Sequence, residues 1–197
     1  MSRVARCRHG TQPQVGVRQA GRVDPTLSAV VVPVPEAEPH VEALRAALDP
    51  SAALGVPAHV TIMFPFLPPA RIDDDVLTAL GGVLAAAPAF EVGFERVAWF
   101  GEDVVWWAPE PADPFVELTA AVGARFGLRP YDGAHGDDVV PHLTVGHGAP
   151  LPQLRAAAAD VAAGPPVRAT VRSARLMVGS REPGSWTTVA DLPLAGR

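Results

Sequence analysis

The chain has a single cysteine, Cys7, and no lysine, and no apolar run in its 197 residues approaches the roughly 20 needed to cross a bilayer. One cysteine excludes an internal disulfide and any cysteine-based zinc site, and it fits a reducing cytoplasm. A glycine-rich phosphate loop, a G-x-S-x-G nucleophile elbow and a dinucleotide fingerprint are also missing. Residues 1–26 lack hydrophobic periodicity and the apolar stretch of roughly 7 to 15 residues that a secretory signal requires. They carry Arg3, Arg6, Arg8, Arg18 and Arg22 against one acid, Asp24, and are expected to be a disordered extension.

What remains is the composition of a globular protein: 48% apolar and 19% charged residues, enough of the first to build a core. Residues 27–197 hold 11 of the 16 arginines and 20 of the 21 acids, a net charge of −9. A body that acidic lacks the broad basic footprint needed to grip long nucleic acid, and duplex DNA is not an expected partner.

Along the chain one order of elements occurs twice. "SAVVVPVP" (28–35) reads as a strand and "PHVEALRAAL" as a helix with Val41, Leu44 and Leu48 at helical spacing. A strand centred on His59 follows. "RIDDDVLTALGGVLAAAP" then predicts a helix with acids in its first turn, and "FEVGFERVAWF" (90–100) another strand. The second pass runs through the strand "DVVWWAPEP", the helix "PFVELTAAVGARFG" stopped by Gly127, a strand carrying His142, the helix "LPQLRAAAADVAAG" and one long strand, "VRATVRSARLMVGS". "SWTTVADLPL", with Trp186, closes the chain as a strand beyond the repeat. This predicts an α+β fold of two lobes related by an approximate two-fold axis. Two mainly antiparallel sheets would carry helices on their outer faces around a central cleft.

The repeated feature that carries chemistry is His-x-Thr, in "PAHVTIMFPF" (57–66) and "PHLTVGHG" (141–148), with the histidines 83 residues apart. Alternation in a strand puts His59 and Thr61 on one face, with Val60 and Ile62 on the other; His142 and Thr144 stand likewise against Leu143 and Val145. An imidazole beside a hydroxyl, duplicated across a cleft, suits a reaction that takes one proton and delivers another around an anion. Opening or transfer of a phosphodiester fits, with the hydroxyls holding phosphate oxygens. No metal or other cofactor is required by that scheme. Histidine near its ordinary pKa of about 6.5 populates both protonation states near neutrality.

"HVTI" and "HLTV" resemble the paired H-x-T/S-x motifs of the 2H phosphoesterase superfamily, which includes the bacterial 2′-5′ RNA ligase (RNA 2′,3′-cyclic phosphodiesterase) group. The resemblance runs over about residues 27 to 194 and takes in the element order, "FPF" after the first motif, "PHLTV" and the late "SW" strand. It implies a single bilobal catalytic domain over 27–197, metal-free. His59 and His142 would be the acid/base pair, and Thr61 and Thr144 would bind phosphate. The implied substrates are 2′,3′-cyclic phosphates, 2′-5′ linkages, small nucleotides or RNA ends. Which histidine is base and which is acid stays open, as does a non-catalytic nucleotide-binding module using the same cleft. A cytoplasmic monomer, not membrane-bound, is expected.

Alternation also places Met63 on the His59 face as a floor for the cleft, and Phe64 and Phe66 in the core. Tyr131, in the glycine-containing loop before the second motif, and Trp186 are candidates to stack on a base. Arg168 and Arg172, four apart on one strand face, are candidates to meet a phosphate. Trp99, Trp106 and Trp107 are expected in the core or between lobes. His135, Asp137, Asp138, His142 and His147 imitate a metal cluster, but the spacing fits no metal motif, and His147 has the opposite strand parity from His142. No metal site is expected.

Overall fold

The β-branched run at the start of the body forms β1 (Leu27–Pro33), and its prolines end it. A computed structural model describes residues 24–134 and 140–196. The expected extension therefore lies, up to residue 23, outside the described residues, as do His135, Asp137 and Asp138. After β1 the chain builds α1 (Glu38–Leu48), the single turn α2 (Pro50–Ala53), β2 (His59–Met63), α3 (Asp74–Ala85) and β3 (Phe90–Phe100). The second pass is β4 (Val104–Glu110), α4 (Asp113–Phe126), β5 (Leu143–His147), α5 (Leu151–Ala163) and β6 (Val167–Val171). β7 (Ser173–Gly179) and β8 (Thr187–Pro193) complete the fold. The helix ends follow local chemistry. The Asp73 side chain accepts from the Val76 N–H at 2.9 Å to start α3, and Gly127, at φ 67°, supplies the left-handed residue that stops α4.

The long strand expected over 167–180 is two strands. It breaks at Arg172, and the pieces pair at opposite ends of the order β6-β3-β4-β5-β2-β1-β7-β8: β6 with β3, β7 with β1. Only one residue links strands that lie so far apart in the order, so the sheet curls on itself. The two four-stranded halves meet at a thin central seam, where β2 and β5 are joined by the single antiparallel pair Val60–Leu143.

That seam is held from one face. Val60, Ile62, Leu143 and Val145 are fully buried, each worth about 1.5–3 kcal/mol of apolar transfer. The helices covering them are exchanged between halves, since α1 packs on β5 and α4 on β2.

Each HxT strand departs from simple alternation just after its threonine. On β2, Thr61 pairs with Val31 and Met63 with Val30, leaving Ile62 as an extra residue; on β5, Thr144 pairs with Trp106 and Gly146 with Val105, leaving Val145 extra. These are β-bulges at matching places in the repeat, and they turn the next residue to the helix side. Met63 consequently does not floor the cleft: it is fully buried, within van der Waals reach of the Gly123 position on α4. At the equivalent place β5 has Gly146, where a Cβ would fall 2.7 Å from Leu154 Cδ2 and 3.1 Å from Leu48 Cβ. Gly146→Ala is therefore expected to lower stability by about 1–3 kcal/mol, read as a lower urea midpoint with an unchanged slope.

Candidate active site

The antiparallel register about Val60–Leu143 sets the two motifs head to tail. One residue either side of that pair, His59 stands across from Thr144 and Thr61 across from His142. All four side chains are partly exposed while the residues between them are buried, so they share the face that the helices leave open. Their carriers are backed by the core, which pre-organises the group.

Both imidazoles are fixed the same way. His59 Nδ1 lies 2.7 Å from the Pro57 carbonyl, and His142 Nδ1 lies 2.8 Å from the Val140 carbonyl, each two residues upstream. A carbonyl can only accept, so Nδ1 carries the proton and Nε2 is left with its lone pair. This backbone support is invisible in the motif, although the spacing of each histidine from the residue two before it is shared by both copies.

Burial is the main influence on the charge of both rings. It holds His59 down to about 4 from 6.5; the Pro57 bond opposes the shift, Arg45 adds to it, Asp49 opposes it and His142 adds to it. His142 is also lowered, first by burial, with the Val140 bond opposing and His147 contributing in the same direction. The field of one histidine at the other shows them to be close. Both shifts favour the neutral imidazole at pH 7.

Two aromatic groups border the four residues. Phe100 stacks on Trp106 with centroids 4.8 Å apart and meets the His142 ring edge-on at 5.0 Å. Trp106 also contacts His142 at 5.9 Å. On the other side Tyr131 lies beside Thr61, and burial raises its pKa. Phe64 packs against Tyr131 and Trp186, at 6.2 Å from each. Tyr131 and Asp132 both have φ near 53°, in the left-handed region, and such strain in non-glycine residues gathers at functional sites.

These positions correct several expectations. Phe64 is not in the main core: it sits partly buried beside Tyr131, because the Ile62 bulge reversed the parity, whereas Phe66 packs in the core on Phe126. Trp186 precedes β8 rather than lying in it. It is 8% exposed and donates its indole N–H to the Ser180 carbonyl at 3.0 Å, and its ring lies on Gly179, where a Cβ would come within 2.5 Å. It is a packed wall behind Phe64, with little ring left for a base. Arg172 is exposed at the break between β6 and β7, so it shares no strand face with Arg168. Arg168 is exposed on the edge strand β6, paired with Glu95 at 3.3 Å, and lines a depression of about 250 Å³ with Arg96, Ala108 and Glu110. The Val145 bulge likewise reverses the parity assigned to His147, whose field reaches His142 and which pairs with Asp103 at 3.6 Å. Of the tryptophans, Trp107 is in the core, Trp99 is partly buried against it, and Trp106 belongs to the site. The sequence signal for Trp106 was the adjacent pair in "VVWWAP": successive strand residues face opposite ways, so one had to leave the core.

A curled antiparallel sheet backed by helices, with two HxT pairs meeting at its seam, defines a protein of the 2H phosphoesterase superfamily. Residues 33–183 match the family model of the 2′-5′ RNA ligase superfamily, and the chain belongs to that family. Among solved structures it is similar to TT0787 of Thermus thermophilus, with TM-score 0.59 and 18% identity over 87% of this chain and 99% of that one. It is also similar to Escherichia coli LigT complexed with NADP+, with TM-score 0.55 and 18% identity over the same shares. LigT complexed with 3′-AMP gives TM-score 0.54 at 18% identity, again over 87% and 99%. At such identity the likeness concerns the fold. No curated protein matches in sequence. Among the described residues no helix is long and apolar enough to cross a membrane.

Proposed function

We propose that the protein is a phosphoesterase that hydrolyses or transesterifies 2′,3′-cyclic phosphates or 2′-5′-linked nucleotides, free or at RNA ends, by paired-histidine acid/base catalysis. The observation that carries this reading is the matched support of the two imidazoles, each with Nδ1–H on a backbone carbonyl and Nε2 free, head to tail at the seam. A neutral imidazole takes the proton of water, or of an attacking hydroxyl, at Nε2 as the oxygen bonds to phosphorus. The ester P–O bond breaks, and the second imidazole, as imidazolium, gives its Nε2 proton to the leaving oxygen. The Nδ1–H bond to carbonyl serves both charge states. Thr61 and Thr144 hydroxyls donate to the non-bridging oxygens, and Tyr131, beside Thr61, borders the same place. Nucleotide ligands on the structurally similar LigT and the acidic body together favour small nucleotide substrates.

Burial favours the neutral form of both histidines, so the proton for the leaving group is expected to be taken up as the substrate binds. A bound phosphate anion favours the imidazolium. The scheme moves protons only, and turnover of a panel of 2′,3′-cyclic mononucleotides and 2′-5′-linked dinucleotides is expected to persist in EDTA. Strict dependence on an added divalent ion would overturn the scheme. A nucleotide bound but left uncut by the wild-type protein would instead favour the binding module.

A further inference from the structure

His59 receives its backbone support from a segment that is itself held by side chains. Residues 56–58 lead into β2, and three consecutive backbone groups there are engaged. Arg45 Nη2 donates to the Val56 carbonyl at 3.1 Å. Glu38 Oε1 accepts from the Ala58 N–H at 2.6 Å. Between them the Pro57 carbonyl accepts from His59 Nδ1. Pro57 has a fixed φ and no N–H of its own, so holding the residues on both sides of it leaves its carbonyl little freedom.

The holders are anchored in turn. Arg45 Nε donates to Asp49 Oδ2 at 3.0 Å and its Nη2 also reaches Ser51 Oγ at 3.2 Å. Asp49 takes the Ser51 N–H at 3.0 Å and its hydroxyl at 2.8 Å. The side chains of Arg45 and Asp49 are each 3% exposed. Glu38 and Arg45 are two helical turns apart on α1 and line, with Glu42, Val56 and Pro57, one depression of about 360 Å³. The contacts run from these groups to the backbone ahead of His59, and a buried ion pair is not by itself a source of stability.

We propose that Glu38 and Arg45 are positioning residues for His59, clamping residues 56 and 58 so that the Pro57 carbonyl stays aimed at Nδ1 and Nε2 stays free toward the cleft. The inference rests on the reading of His59 as one of the acid/base pair. With the clamp loosened, the imidazole samples the tautomer that carries its proton on Nε2, and in that form it cannot accept one there. The loss falls on kcat, since the phosphate contacts of Thr61 and Thr144 are untouched.

The test uses the full chain, at neutral pH, with ¹H–¹⁵N correlation of the imidazole nitrogens in wild type, Glu38→Ala and Glu38→Gln. His142 serves as internal reference because its carbonyl comes from Val140. In the wild type both histidines are expected to show a protonated Nδ1. In Glu38→Ala the His59 pattern should move toward a tautomer mixture while His142 stays put, and Glu38→Gln, whose amide oxygen still accepts from Ala58, should restore it. Turnover should follow, with kcat down roughly ten- to a hundredfold in Glu38→Ala and KM within about twofold. An unchanged His59 pattern in folded Glu38→Ala would overturn the proposal, and so would an equal shift at His142. If the wild type turns over no nucleotide, the nitrogen shifts still decide the positioning, and only the functional reading falls.

Discussion

Alanine at His59 or at His142 is expected to cut turnover of a 2′,3′-cyclic or 2′-5′-linked substrate by about 10²- to 10⁴-fold, the range for a positioned acid or base. The two losses should not add. A reaction that needs both proton transfers at one phosphorus gains little from either alone, so the double variant should be close to the singles. The pH profile carries a second test. In the free protein both histidines sit below 6.5, His59 at about 4, and the productive free form holds one proton between them. The bell for kcat/KM, which reports the free protein, should therefore have its maximum on the acid side of 6.5. The bell for kcat should lie at higher pH, because the bound phosphate stabilises the imidazolium. The pair titrates as a unit, and either single variant should remove one limb. Full activity in both alanine variants would remove the paired-histidine reading altogether.

The placement of the candidate site was legible because it is written in residue types at a spacing that recurs. His-x-Thr twice, at one place in a repeated element order, names the strands, the shared face and the four side chains. The helices were legible for the usual reason, a stripe such as Phe115, Leu118 and Val122 that must be buried. Alternation failed where the backbone inserted a residue. "TIM" and "TVG" after the histidines look like continuing strands, but Ile62 and Val145 are bulged, so Met63 went to the core, Phe64 to the cleft side and His147 to the His142 face. The break at Arg172 was hidden because "VRATVRSARLMVGS" is β-forming throughout; its division is imposed by the curl of the sheet. The backbone carbonyls of Pro57 and Val140 have no side-chain signature at all.

Arg45 shows the same limit from the opposite side, and the second large effect follows from it. An arginine and an aspartate four apart on a helix ordinarily read as a solvated pair worth a few tenths of a kcal/mol. Here α2 and the turn before β2 fold over them, and both side chains are 3% exposed. Arg45→Met keeps most of the side-chain volume but leaves the Asp49 carboxylate buried without its cation and the Val56 carbonyl without that donor. The expected loss is about 3–5 kcal/mol of unfolding free energy, the penalty for breaking a buried pair from one side. Arg45→Met combined with Asp49→Asn should recover part of the loss at neutral pH, since asparagine removes the stranded charge and still caps α2 through Ser51. The exposed pairs, such as Arg155–Glu102 at 3.3 Å, provide the contrast, with about 0–1 kcal/mol expected from each. Urea unfolding of the three proteins decides the matter. A loss below about 1 kcal/mol in Arg45→Met, the range of a surface pair, would mean that Arg45 is solvated and holds neither Asp49 nor the approach to His59.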